Sequence, residues 1–113
     1  MPRDEEALLD IYQAALDILE FREGVDRETF ADDRKTQSAI VHQLLIIGEA
    51  TKRLSDGFRE EHPSFPWRSM ARMRDKLIHD CNNVDLDEVW RTAKQDIPEL
   101  VDELEPLVTE EDG

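Results

Sequence analysis

Apolar residues recur every three or four positions through nearly the whole of this chain, and no stretch alternates convincingly with the period of two that a strand needs. The pattern is strongest from about Asp33 to about Ser55. There Ile40, Val41, Leu44, Leu45, Ile47, Gly48, Ala50 and Leu54 form an apolar face. That face is broad enough for burial on more than one side. His42, Glu49, Arg53 and Asp56 share the remaining stripe, at spacings of seven, four and three. One period dominates, so the expected class is all-α.

Three further helices follow from the same reading. The first runs from about Glu5 to about Arg22 on Leu8, Ile11, Ala15, Ile18 and Leu19, and Gly24 ends it. "GVDRETFADD" reads as a connection with some helical character, and "DGFREEHPSFP" breaks the pattern with Gly57, Pro63 and Pro66. The third helix is "PWRSMARMRDKLIHD", with Pro66 suited to its first turn. The fourth begins in "NNVDLDEVW", where Asp85 and Glu88 have the spacing of a capping box. Its stripe continues through Ala93, Ile97, Leu100, Val101, Leu104 and Leu107, and Pro98 should bend it or split it at Ile97. The 113 residues make one domain, with a frayed acidic end at about 109–113. The expected architecture is an up-and-down four-helix bundle with an extra short helix or a Pro-kinked last helix.

Charge narrows the function classes. The chain carries 28 acids against 14 bases, a net charge of -14. Such a potential repels nucleic acid at long range and argues against non-specific binding, though it leaves room for a localised site. The longest apolar run, Leu44 to Gly48, is far too short to span a bilayer. The start, "MPRDEEALLD", lacks the order of a signal peptide, and one cysteine builds no disulfide framework, so a cytoplasmic setting is expected.

The third helix holds the unusual chemistry. Trp67, Met70, Ala71, Leu77 and Ile78 define its apolar stripe, and Arg74 falls in the centre of it. A guanidinium is always charged, so a core-facing arginine needs an explanation. Its stem can pack while its head reaches water. It can pair with a carboxylate of the second helix such as Glu49. Or the face can line a cleft where the cation meets a phosphate. His79 lies five residues on, about 140° round an ideal helix from Arg74, so the two diverge unless the helix ends there or a second chain completes the site. Arg68, Arg72, Arg74 and Lys76 against Asp75 alone make this the chain's only strongly basic segment. Cys81 has no companion cysteine, and His42, His62 and His79 lack metal-ligand spacing, so neither metal nor cofactor is expected. Trp67 and Trp90 sit on apolar stripes and read as core.

"DDRKTQSAIVHQLLIIGEATKRLSD", "RDKLIHDCNNVDLDEVW" and "DIPEL", in that order, closely resemble the HepT-type HEPN-domain proteins, toxin halves of two-gene toxin–antitoxin modules. The resemblance covers roughly Glu5 to Val108. It implies a helical bundle that dimerises through the face bearing the Arg-to-His motif, and a metal-independent endoribonuclease whose site is shared across the homodimer. It also implies a partner, a minimal nucleotidyltransferase antitoxin (MNT type). By position, the motif places Arg74 and His79 in the catalytic roles and Asp75 as the polar residue after the arginine. On that reading His79 carries the proton and Arg74 grips the phosphate. Asp75 and Glu49 support the site, and Arg68, Arg72 and Lys76 hold flanking phosphates of the RNA substrate. The family's antitoxin adenylates a tyrosine two residues after the histidine, and this chain has Cys81 there. The alternatives are an inactive HEPN module that only dimerises and binds the nucleotidyltransferase, and a plain structural bundle.

Overall fold

Asp33 starts the central element. Its carboxylate accepts hydrogen bonds from the Thr36 backbone N–H at 3.1 Å and the Thr36 hydroxyl at 2.6 Å, which caps helix α3, Arg34–Arg53. The structure, a computed structural model, describes residues 2–79 and 84–111. Before α3 come α1, Pro2–Arg22, and α2, Arg27–Asp32; after it come α4, Asp56–Glu61, and α5, Trp67–His79. Next follow α6, Leu86–Arg91, a π-helical turn, Thr92–Asp96, and α7, Ile97–Glu111. Among the described residues there is no strand, and none of the helices is long and apolar enough to cross a membrane.

The broad apolar face of α3 is used on two sides, as its width requires. α1 packs on one side and α5 on the other, while α7 lies against α1. Leu8, Ile11 and Ile18 of α1, Ile40, Leu44 and Ile47 of α3, and Ile97, Leu100 and Leu104 of α7 are all buried in this core. Burying each such side chain contributes roughly 1.5–3 kcal/mol. Trp67 and Trp90 are buried too, and the Trp90 ring meets Phe30 at 5.1 Å, tying α2 to α6.

Pro98 acts much as expected, but by a gentler route than a break. Proline has no N–H and its ring crowds the carbonyl four residues back. The preceding turn widens instead, and the Ile97 N–H donates to the Thr92 carbonyl five residues back. The capping expectation also holds, since the Asp85 carboxylate accepts from the Glu88 N–H at 3.1 Å.

The stretch read as a break, "DGFREEHPSFP", contains α4. Ser55 caps it, accepting from the Phe58 N–H at 3.1 Å. Ser55 in turn donates its N–H and its hydroxyl to the Asp4 carboxylate, both at 2.8 Å. A buried carboxylate near the start of α1 therefore fixes the corner between α3 and α4. The Ser55 backbone N–H, and behind it the Ser55 hydroxyl, hold the Asp4 carboxyl below its ordinary value of 3.8 despite burial. A lowered folded-state value means the stabilisation is present above the unfolded value and fades as pH falls through the folded one. Asp4→Ala should lower stability by about 1 kcal/mol near neutrality. In urea titrations the gap between parent and variant should close as pH falls below 3.8.

Candidate active site

The phase of α5 is set before the helix begins. Pro66 precedes its first residue, and the Trp67 indole N–H donates to the His62 carbonyl at 2.9 Å. The Phe65 and Trp67 rings lie 4.6 Å apart, and Phe58 stacks near His62 at 4.4 Å. With Trp67 held this way, Met70 and Leu77 face α3 and are buried. The opposite side of the helix, carrying Arg68, Ser69, Arg72, Lys76 and His79, is exposed.

Arg74 lies where α5 touches the backbone of α3. A Cβ at Gly48 would sit 2.2 Å from the Arg74 Cβ and 2.9 Å from the Met70 carbonyl oxygen. Only glycine allows the helices to meet this closely, so Gly48 determines where the arginine stem runs. The Arg74 side chain is 28% exposed, and its Nη1 donates to Asp75 at 3.2 Å. Its Nε is buried with no hydrogen-bond partner among the described residues. Asp75 also accepts from Lys52 Nζ at 2.5 Å. The Lys52 ammonium first, and then the Arg74 guanidinium, hold the Asp75 carboxyl below the usual carboxylate range.

One expected pairing is corrected. Glu49 does not face Arg74; it is exposed and has no ion pair among the described residues. The reason is angular. Gly48 occupies the position facing α5, and the next residue turns about 100° away from it. Asp75, on α5 itself, takes the guanidinium, and Lys52 reaches it from α3. Lys52 had no signature in the sequence beyond lying four residues after Gly48, one turn along the same face.

His79 ends α5 and is exposed. The helix is regular from Trp67 to His79, so the 140° divergence from Arg74 stands within one chain. Beside His79, Ile78 is an apolar side chain 46% exposed. Arg68 and Arg72 have no ion-pair partner among the described residues, and Lys76 approaches Glu88 at 3.5 Å. Cys81 lies outside the described residues.

An all-α bundle with one basic helix pressed by its arginine onto a glycine of the central helix is the class of protein that fold and site define. The family model for HepT-like ribonucleases matches residues 11–107. The chain belongs to this family. It is 48% identical over 100 residues to a protein of Thermococcus cleftensis named probable ribonuclease HepT, covering 88% of this chain and 91% of the relative. It is 39% identical over 112 residues to a Methanocaldococcus jannaschii protein named as a candidate RNase, covering 98% of this chain and 93% of that one. A Caldanaerobacter subterraneus protein, also named as a candidate RNase, is 39% identical over 94 residues, 83% of this chain and 84% of its own. No solved structure gives a significant match.

Gly48→Ala tests the crossing. Alanine would favour an isolated helix by about 1 kcal/mol, whereas overpacking against a backbone carbonyl and a stem carbon costs about 1–3 kcal/mol. The clash should win. The urea midpoint should fall at constant slope, and a rise would show that the helices separate freely.

Proposed function

We propose that this protein is an endoribonuclease that cleaves single-stranded RNA by 2′-hydroxyl attack, at a site completed by a second copy of the chain. Arg74 carries this reading. Its stem is fixed by Gly48 and its guanidinium is paired with Asp75, on a helix with four bases and one acid in an acidic chain, and its buried Nε is left without a partner among the described residues. Family membership supports the same activity, since the relatives bear ribonuclease names.

The chemistry needs a base, an acid and positive charge at the phosphorus. The ribose 2′-oxygen attacks the adjacent phosphorus and gives up its proton to an imidazole. The same imidazole, now protonated, returns that proton to the departing 5′-oxygen, which yields a 2′,3′-cyclic phosphate and a 5′-hydroxyl. His79 is the proton carrier, because imidazole changes charge near neutral pH. Arg74 stabilises the charge that builds on the non-bridging oxygens. No step requires a metal ion. Asp75 orients Arg74 by direct hydrogen bond. Glu49 is exposed on the adjoining turn of α3, where a second chain could reach it. Arg68, Arg72 and Lys76 line the outer face of α5 and hold flanking phosphates.

The second copy follows from the divergence of Arg74 and His79. A two-fold axis across the α3–α5 face would bring one chain's histidine to the other's arginine. The exposed Ile78, with the half-buried Val41 and Leu45, supplies apolar surface for that contact. We assign the toxin role, and a minimal nucleotidyltransferase antitoxin as partner, on the same family resemblance. Cys81 stands where the family's modified tyrosine would be, so the partner acts on this chain by binding. That departure also favours a second reading, an inactive HEPN module that dimerises and binds the nucleotidyltransferase.

Mixing variants separates the readings. Arg74→Ala and His79→Ala should each cut RNA about 10²–10⁴ times more slowly than the parent in EDTA. Mixed and allowed to exchange subunits, the two should regain part of the activity, because one of the two sites in each mixed dimer is then intact. Parent protein that leaves RNA uncut would favour the inactive module, and variants as active as a cleaving parent would overturn Arg74 and His79 as the catalytic pair.

A further inference from the structure

On the side of α5 away from Arg74, a cleft of about 470 Å³ opens between α5, α6 and the π-helical turn. The ribonuclease reading makes no use of it. Its walls include the apolar side chains of Leu44, Met70, Met73 and Ile97. The turn widened ahead of Pro98 contributes Thr92 and Asp96 to one wall. π-Helical turns inside α-helices are frequent at functional sites.

Two features indicate what fits. Arg72 and Lys76 line the cleft and also belong to the exposed basic side of α5. Phosphates that follow this side of the helix would therefore pass the mouth of the cleft. Two pairs partly satisfy the charges there, Lys76 with Glu88 at 3.5 Å and Arg91 with Asp96 at 3.8 Å. Arg72 and Glu99 have no partner among the described residues, which leaves a cationic donor group and an anionic acceptor group at the rim. A flat ring with polar edges suits such a space: methionine sulfur and aliphatic carbon meet its face, and the unpaired side chains meet its edge. The volume is in the range that holds small ligands.

We propose that the cleft is a nucleobase subsite, which takes one unpaired base of the RNA strand whose phosphates lie along α5. This rests on the ribonuclease reading and gives that site a sequence or spacing preference. Single-stranded RNA can turn a base out in this way, because its bases are not committed to pairing.

The test uses the whole chain and a short RNA bearing its mapped cleavage sequence, with a 2′-deoxy sugar at the scissile nucleotide to block attack and fix the register. An abasic site is moved along the strand, and binding is read by fluorescence anisotropy. One position should cost about tenfold in affinity. Ser69→Trp, at an exposed position on the cleft wall, should abolish that position's effect and leave the melting temperature unchanged. Uniform affinity across the abasic series overturns the subsite, as does a Ser69→Trp protein that keeps the parent's position dependence. In either case cleavage of RNA by the parent would leave the ribonuclease reading standing. If the parent neither binds nor cleaves RNA, both fall together.

Discussion

The close contact between Gly48 and Arg74 is the constraint on which the rest of the structure turns. A missing Cβ lets α5 settle onto the backbone of α3. Met70 and Leu77 are then buried, and the arginine stem is trapped between two helices. An arginine on a free surface would keep its rotamer freedom, and ordering it on a substrate would cost up to about 2 kcal/mol. Here folding has already ordered it. Asp75 accepts from the guanidinium, and Lys52, reaching from α3, donates to the same Asp75 carboxylate and holds it in place. Such prior ordering is what electrostatic stabilisation of a developing charge requires.

The same helix resolves the conflict between an acidic protein and an anionic substrate. Screening limits the reach of the net charge to about 8–10 Å at ordinary salt. Within that distance, a strand lying on α5 meets Arg68, Arg72 and Lys76, with Glu88 and Asp96 beside them already facing Lys76 and Arg91. Long-range repulsion then slows non-specific encounters while the local field still favours the bound strand. The buried face of α5 holds the arginine and its exposed face presents the other cations and His79. Within one chain the two sets point apart, which is the divergence that the proposed shared site would bridge.

Much of this was legible in the residues. The period of the apolar stripes and the acids at Asp33 and Asp85 were enough to place α1, α3, α5 and the start of α6, because helix ends are set by local hydrogen bonds. Pro98 announced a disturbance, although the π-helical turn depends on how the surrounding helices accept the widened backbone. What escaped was tertiary. α4 hid among Gly57, Pro63 and Pro66, since six residues show too little period, and its cap depends on Asp4, 51 residues away. The Glu49 expectation failed because a one-residue step on a helix turns a side chain 100°, and only the crossing angle shows which residue faces across. Lys52 and the cleft beside α6 are likewise products of packing between segments far apart in sequence.

The most direct measurement of the central claim is a distance across the complex. With Cys81→Ser removing the native thiol, a spin label at Ser69→Cys, an exposed α5 position outside the apolar contact, would report the separation of the two α5 helices in solution. The account predicts a concentration-dependent dimer with a single short distance, well inside the 41 Å length of one chain. A monomer at every concentration, or a dimer whose labels lie about as far apart as the chain is long, would contradict it.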